Sequence, residues 1–125
     1  MKTIIKTEDA PAPIGPYNQA VLANNTLYVS GQIALDTVTG KMMQDSIAEE
    51  AKQVMKNIGA ILKYAEMDFG NIVKTTIFLK NLGDFAAVNE IYGSFFSGDY
   101  PARETVEVSR LPKEANVEIS VIAVV

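Results

Sequence analysis

The chain has 125 residues, of which 48% are hydrophobic, and its 11 basic and 15 acidic side chains give a net charge of −4 at pH 7. This composition is typical of a globular domain, excludes a disordered chain and argues against nucleic acid as a partner. Cysteine and histidine are both absent, which excludes disulfides, thiolate nucleophiles, imidazole bases and most zinc or iron sites. Acid–base chemistry therefore has to use carboxyl, hydroxyl, amine or backbone groups.

A single domain is expected over residues 1–125, because no linker, internal repeat or low-complexity segment divides the chain. No segment is apolar over the length that a signal peptide or a membrane span requires. The expectation is a soluble cytoplasmic protein that has neither a membrane nor nucleic acid as a partner.

Strands and turns alternate in the first third of the chain. The residue pattern predicts strands over Thr3–Lys6, Tyr17–Ala23 and Thr26–Ile33. The prolines between positions 8 and 16 predict a loop, because proline lacks a backbone donor. Asn24-Asn25 predicts a tight hairpin, since asparagine tolerates positive φ.

Two amphipathic helices are predicted further along the chain. Ser46 and Glu49 form a capping-box pattern, and apolar residues then recur every three or four positions to about Glu66. Asp84 is expected to cap a second helix that runs to about Phe96.

One strand is predicted between the helices, over Asn71–Lys80, and two more follow the second helix. Val73, Thr75, Ile77 and Leu79 are expected on one side of the strand over Asn71–Lys80. This order predicts an α+β fold with a single mixed six-stranded sheet covered on one face by two helices. Because Ile122 and Val124 share a side with Glu118, the other face is partly apolar, which favours self-association.

Two charges lie inside the last two strand patterns. Arg103 opens the first pattern, and Glu118 stands between Val117 and Ile119 in the second. A guanidinium binds a carboxylate through two parallel hydrogen bonds, and a half-buried carboxylate can orient or activate a water. Taken alone, however, an arginine and a glutamate in strands are more often a structural ion pair or charges on a wet sheet face.

The residues around these charges form a longer pattern, which extends from about Pro11 to Ala123. Its parts are Ile14-Gly15-Pro16-Tyr17 with Gln19-Ala20, Ser30-Gly31-Gln32-Ile33, Phe85–Tyr92, Pro101-Ala102-Arg103, Leu111-Pro112 and Val117-Glu118-Ile119. In content and order this pattern resembles the Rid family, the reactive intermediate deaminases, and within it the RidA subgroup.

The resemblance implies a chorismate-mutase-like fold and a homotrimer with sites between subunits. It also implies a 2-iminobutanoate/2-iminopropanoate deaminase, which hydrolyses 2-imino acids or their enamine tautomers, released by pyridoxal-phosphate enzymes, to 2-oxo acids and ammonia. Such a reaction adds water to a C=N bond and needs no cofactor, metal, thiol or covalent intermediate.

The catalytic roles that the resemblance implies fall on three residues. Arg103 would grip the substrate carboxylate, Glu118 would orient or deprotonate the attacking water, and Tyr17 would line the pocket and hydrogen-bond the substrate or relay a proton. If Glu118 lies close to Arg103, the positive charge lowers its basicity, and the carboxylate then acts mainly by orienting water.

The substrate-binding positions that the resemblance implies are Arg103, Thr105, Gly31 and Asn89. Backbone groups at Thr105 would meet the substrate, Gly31 would let the backbone approach it, and Asn89 would lie at the rim. From the residues alone, Gly31 is equally consistent with a bulge or packing gap, and Asn89 with a hydrogen bond within the fold.

Three positions depart from the common RidA pattern. Glu104 replaces a small residue, Thr105 replaces a frequent cysteine, and Asn18 replaces serine. Regular alternation predicts that Glu104 points away from Arg103, so that the anchor is preserved. These departures bear on substrate preference.

Two other functions are considered. A non-catalytic trimer that binds small carboxylates such as 2-oxo acids would need Arg103 but not Glu118. Endoribonuclease activity is also ascribed to some members of the family, but the acidic charge and the missing histidine argue against it here.

Overall fold

A computed structural model of the protein describes residues 1–125. The strands are β1 (Lys2–Ile5), β2 (Ala20–Ala23), β3 (Thr26–Gln32), β4 (Ile72–Leu79), β5 (Ala102–Glu107) and β6 (Val117–Val124), and the helices are α1 (Ile47–Tyr64) and α2 (Phe85–Gly93). Neither helix is long and apolar enough to cross a membrane.

All six strands form one sheet in the order β1-β2-β3-β6-β4-β5. Strands β4 and β5 pair in parallel, with α2 as the connection between them, and the remaining neighbours pair antiparallel. The predicted α+β fold with a mixed six-stranded sheet and two helices is confirmed. In this order β5 is an edge strand, and β6 lies in the interior between β3 and β4.

The core lies between α1 and one face of the sheet. Val54, Ile58 and Ile61 of α1 are fully buried, as are Ile77 of β4 and Ile119 of β6. Burying an aliphatic side chain of this size contributes about 1.5–3 kcal/mol. This packing therefore fixes which face of every strand points towards the helices.

Strand β6 separates the two faces residue by residue. Val117, Ile119, Val121 and Ala123 are buried towards the helices, whereas the alternate residues Glu118, Ser120, Ile122 and Val124 are only half-buried. We call the second side, which no helix covers, the open face. Ile122 and Val124 share it with Glu118, as predicted.

Local signals placed several element ends correctly. The Ser46 hydroxyl accepts a 3.1 Å hydrogen bond from the backbone N–H of Glu49, so α1 begins where the capping pattern predicts. Asn24 and Asn25 adopt φ angles of 50° and 63° in the β2–β3 hairpin. Both values lie in the left-handed region that asparagine tolerates.

Two predictions within β4 and at the start of β2 are wrong. Val73 was expected on the same side of β4 as Thr75, Ile77 and Leu79, which are fully buried, but it is 45% exposed. A register shift between Ile72 and Lys74 buries Ile72 in its place. Strand β2 begins at Ala20 rather than Tyr17, because its partner β1 ends at Ile5, which pairs with Ala20.

The predicted limits of α2 also need correction. Asp84 makes no side-chain capping bond; instead, the side chain of Asn81 accepts from the N–H of Gly83 and caps a short 3₁₀ turn that leads into the helix. The helix ends at Gly93 rather than near Phe96. Capping by the preceding turn removes the need for the carboxylate.

Candidate active site

Arg103 lies on β5 and faces α2. Its Nη1 donates a 2.7 Å hydrogen bond to Oδ1 of Asn89, and its guanidinium carbon lies 5.5 Å from the ring centroid of Phe85 and 5.3 Å from that of Tyr92. The three α2 residues are spaced i, i+4 and i+7, so they form one stripe of the helix. Neutral groups therefore hold the cation.

The charge of Arg103 is not neutralised within the chain. The two ion pairs of the protein join Lys74 to Glu104 at 3.1 Å and Arg110 to Glu114 at 3.3 Å. A cavity of about 490 Å³ opens beside the guanidinium. Its lining includes Asn89, Tyr92, Gly93, Tyr100 and Pro101. The free donors of Arg103 are thus available to an anion that enters this cavity.

Glu104 does not compete for the arginine. It pairs in register with Thr76 of β4, accepts a hydrogen bond from the Thr76 hydroxyl and forms an ion pair with Lys74. The hydrogen bond from Thr76 and then Lys74 lower the pKa of the Glu104 carboxyl. Since neighbouring residues of a strand point to opposite faces, Glu104 lies on the open face and Arg103 on the helix side.

Glu118 lines a second cavity, of about 430 Å³, on the open face. The other residues that line this cavity include Tyr17, Gln19, Gly31, Gln32, Pro112 and Lys113. Burial raises the pKa of the Glu118 carboxyl above its ordinary value of 4.5, and no cation or hydrogen-bond donor of the chain acts against that shift. A carboxylate in this state is a stronger base than an exposed glutamate.

Gly31 makes room for the Glu118 side chain. A Cβ atom at position 31 would lie 2.8 Å from Cδ of Glu118, which is closer than real Cβ contacts allow. The ladder between β3 and β6 also shifts register between Val29 and Gln32, so a bulge occurs here as well. Gly31 therefore sits at an irregularity of the strand and forms a wall of the Glu118 cavity.

Tyr17 stands in a loop that forms another wall of that cavity. Its side chain is 49% exposed, and its phenol oxygen accepts a 3.3 Å hydrogen bond from the N–H of Ile14. The buried amide of Gln19 fixes the same loop by accepting from the N–H of Thr7 at 2.7 Å and donating to the carbonyl of Pro11 at 2.9 Å. A rigid support thus positions Tyr17 beside Glu118.

Thr105 and Asn89 lie with Arg103 rather than with Glu118. Thr105 follows Arg103 by two positions on β5, so the two side chains share a face. The Thr105 hydroxyl oxygen is buried and has no hydrogen-bond partner. It is therefore an unsatisfied polar group on the arginine side of the sheet.

The sheet separates the candidate residues into two groups. Arg103 pairs in register with Thr75 of β4, and Glu118 pairs with Phe78 of the same strand. Paired residues share a face, and positions 75 and 78 are three apart, so Arg103 and Glu118 point to opposite faces. An ion pair between them within one chain is excluded.

We name each group after the role that the sequence analysis predicts for its charged residue. The anchor half-site is Arg103, Asn89 and Thr105 on the helix side, and the base half-site is Glu118, Tyr17 and Gly31 on the open face. The concern that Arg103 weakens the basicity of Glu118 does not arise within a single chain.

Sequence reasoning missed the aromatic groups around Arg103. Phe85 and Tyr92 fit an ordinary apolar stripe of the second predicted helix, yet Phe85 is 39% exposed and both rings approach the guanidinium. The spacing of Phe85, Asn89 and Tyr92, at i, i+4 and i+7, could have indicated that the three side chains share one face of the helix. Gln19, whose amide fixes the Tyr17 loop, was noted only as part of a motif.

Comparisons with known proteins cover nearly the whole chain. The family model described as endoribonuclease L-PSP matches residues 7–125. A 2-iminobutanoate/2-iminopropanoate deaminase of Rattus norvegicus is 51% identical over 99% of this chain and 90% of its own length.

Solved structures agree with the sequence matches. A protein of the conserved Rid family from Yersinia pestis is 49% identical and superposes with a TM-score of 0.97 over 100% of both chains. The structure of Escherichia coli TdcF with bound serine is 40% identical, with a TM-score of 0.94 over 98% of both chains. Both the resemblance stated from the motifs and the fold are thereby confirmed, and the chain belongs to the endoribonuclease L-PSP family, which is the Rid family.

Proposed function

We propose that this protein is a 2-iminobutanoate/2-iminopropanoate deaminase, which hydrolyses reactive imino acids from pyridoxal-phosphate enzymes to 2-oxo acids and ammonia. The observation that carries the proposal is Glu118, a carboxyl group with a raised pKa in a cavity beside Tyr17 and Gly31. Relatives that are named for this activity are about half identical over nearly the whole chain.

Arg103 is the proposed anchor of the substrate carboxylate. It carries a positive charge that no acidic residue of the chain neutralises, and its cavity is open. An arginine fork and a carboxylate form two charge-assisted hydrogen bonds, which fix both the position and the plane of the substrate. Asn89 and backbone groups at Thr105 complete the binding surface in this proposal.

Glu118 is the proposed base. It takes a proton from a water molecule whose oxygen bonds to the imine carbon, while the C=N electron pair moves to nitrogen. The proton held by Glu118 passes to the nitrogen and the proton of the new hydroxyl follows it, so the C–N bond breaks, ammonia leaves and the C–O bond becomes the carbonyl of the 2-oxo acid. Tyr17 lies on the same cavity wall, where its hydroxyl can bond the substrate or relay a proton. The reaction so written uses no metal or cofactor.

The two half-sites lie on opposite faces of the sheet, so the proposed complete site requires two copies of the chain. The open face carries Tyr28, Ile122 and Val124 without a covering layer, and Tyr28 is 51% exposed. Packing this face against another copy buries apolar surface and brings Glu118 of one chain to Arg103 of the next. We propose a homotrimer that acts in the cytoplasm on a small imino acid.

The deaminase proposal is tested by coupling the protein to a threonine dehydratase and following 2-oxobutanoate formation while semicarbazide competes for the imine. The expected result is faster formation of 2-oxobutanoate, which is lost in Arg103→Ala. No acceleration, or full acceleration by that variant, would overturn the proposal.

Non-catalytic binding of small carboxylates is the alternative, and the structure of TdcF with bound serine favours it, because serine carries the carboxylate that Arg103 would hold. The Glu118→Gln variant separates the two functions. Lost turnover with retained binding of 2-oxobutanoate supports the enzyme. If wild type and variant both bind 2-oxobutanoate and neither turns over the imine, the protein is a binder.

A further inference from the structure

Tyr92 is a buried polar side chain that contacts the anchor half-site. Its side chain is 4% exposed, and its hydroxyl donates a 2.9 Å hydrogen bond to Oγ1 of Thr75, which is itself fully buried. Its ring centroid lies 5.3 Å from the guanidinium carbon of Arg103. One aromatic side chain thus links a buried hydroxyl of the sheet to the arginine.

The sheet register makes this link short. Thr75 stands directly opposite Arg103 in the parallel ladder between β4 and β5, so both side chains point to the same face. Tyr92 extends from α2 and contacts both residues, Thr75 through its hydroxyl and Arg103 through its ring. The Thr75 hydroxyl, which accepts the hydrogen bond from Tyr92, therefore lies on the strand next to that of Arg103.

The arrangement restricts the open directions around the guanidinium. The guanidinium carbon lies 5.5 Å from the ring centroid of Phe85 and 5.3 Å from that of Tyr92, so two aromatic rings approach it. Asn89 occupies Nη1. The N–H groups that Asn89 does not use remain as donors for a carboxylate, and they point outwards in the plane of the guanidinium.

From this geometry we propose that Tyr92, tethered by Thr75, is a positioning residue that sets the plane of the Arg103 guanidinium for binding a carboxylate. The inference rests on the proposed function, because it assigns the anchor to a carboxylate. Burial raises the pKa of the Tyr92 hydroxyl, which keeps that group protonated as a donor to Thr75.

A purely structural role is the competing explanation, because Tyr92 also packs on Phe96 with ring centroids 4.9 Å apart. The two roles differ in what they predict for ligands. A structural defect weakens all ligands, whether or not they carry a carboxylate. A misplaced guanidinium weakens only ligands that carry a carboxylate.

The test uses Tyr92→Phe, Thr75→Val, the double variant and Thr75→Ser, with Tyr64→Phe as the control, since Tyr64 is 57% exposed on α1. Calorimetry measures the affinity for 2-oxobutanoate and for its neutral amide, and the deaminase assay gives KM and kcat. The melting temperature is recorded for every variant.

Tyr92→Phe is expected to weaken 2-oxobutanoate binding about fivefold to tenfold, with the amide affinity unchanged. KM should rise by the same factor while kcat stays within about twofold of wild type. Thr75→Ser retains the acceptor and should behave as wild type. The double variant replaces both partners by apolar groups, so it should recover the melting temperature but not the affinity.

Equal loss of affinity for both ligands in Tyr92→Phe, or wild-type affinity in that variant, would overturn the inference. Recovery of 2-oxobutanoate binding by the double variant would also overturn it, since the tether would then be dispensable. If the wild-type protein does not distinguish 2-oxobutanoate from its amide, the proposed anchor fails, and this inference fails with it.

Discussion

Arg103 and Glu118, on opposite faces of the sheet, have different surroundings. On the helix side, Arg103 is contacted by an amide and two aromatic rings, all presented by α2. On the open face, Glu118 has only the space that Gly31 leaves and a cavity wall formed by a proline-rich loop. The arginine is held in place, whereas the glutamate is mainly desolvated.

This difference suits the chemistry that we propose for each group. An anchor benefits from a fixed orientation, because a carboxylate binds an arginine fork in one plane. A base benefits from a raised pKa, because a desolvated carboxylate binds a proton more tightly. Within one chain, the separation on opposite faces lets burial act on Glu118 and α2 act on Arg103 without an ion pair between the two charges.

Removal of the anchor should produce the largest effect. Arg103→Ala deletes the cation that the substrate carboxylate needs, and we expect kcat/KM to fall by about 100-fold or more. The matched control is Arg110→Ala, since Arg110 is exposed and its only ion pair is to Glu114 four residues on. Steady-state kinetics measure both variants. A similar loss in both would show that general charge matters, not the anchor half-site.

Removal of the base should produce a comparable loss. Glu118→Gln keeps the shape but cannot accept a proton, so we expect kcat to fall by about 10²–10⁴-fold while 2-oxobutanoate still binds. Turnover and calorimetry check the two parts. Unchanged turnover would remove Glu118 from the reaction.

The pH profile sharpens the same contrast. The base must be ionised to act, and burial raises the pKa of Glu118, so kcat/KM should begin to fall at a pH above the ordinary value of 4.5 as the solution is acidified. The residual activity of Glu118→Gln should lack this acidic limb. A limb at or below the ordinary value would indicate that a nearby cation, not burial, controls the carboxyl group.

Filling the space beside Glu118 should have an intermediate effect. Gly31→Ala places a methyl group against the carboxylate, and we expect activity to fall about tenfold because the base is displaced. The same contact should lower the melting temperature of Gly31→Ala. In the double variant with Glu118→Asp, the shorter side chain relieves the contact, so the melting temperature should return to the wild-type value although activity does not. Unchanged activity in Gly31→Ala would show that the carboxylate need not occupy its observed position.

The smallest effect is expected at Thr105. Its buried hydroxyl has no partner, so Thr105→Val removes an unsatisfied polar group and should raise the unfolding free energy by up to about 1 kcal/mol. Denaturant unfolding measures the change. A clear loss of stability would mean that the hydroxyl is satisfied in the assembled protein.

The sequence was informative where local chemistry decides the structure. The Ser46 cap, the Asn24-Asn25 hairpin and the alternation along β6 are properties of a few neighbouring residues, and each is present as predicted. Val73 and Asp84 were placed wrongly because a register shift and a preceding 3₁₀ turn depend on how segments meet.

The candidate site was predictable only as a set of residues. Alternation within one strand places Arg103 and Thr105 together, but it cannot relate Arg103 to Glu118, because that relation depends on the register of each strand against β4. The separation into half-sites follows from this register. The aromatic pair around Arg103 was hidden because Phe85 and Tyr92 fit an ordinary apolar helix stripe equally well.

Mixing of subunits tests most directly whether the site is shared between two chains. Arg103→Ala and Glu118→Gln are each expected to be inactive. After random exchange of their subunits, verified by native mass spectrometry, one site in four should be intact, so about one quarter of the wild-type activity should return. In those restored sites, one chain supplies the intact arginine and its neighbour the intact glutamate. Verified exchange without any recovered activity would contradict the account.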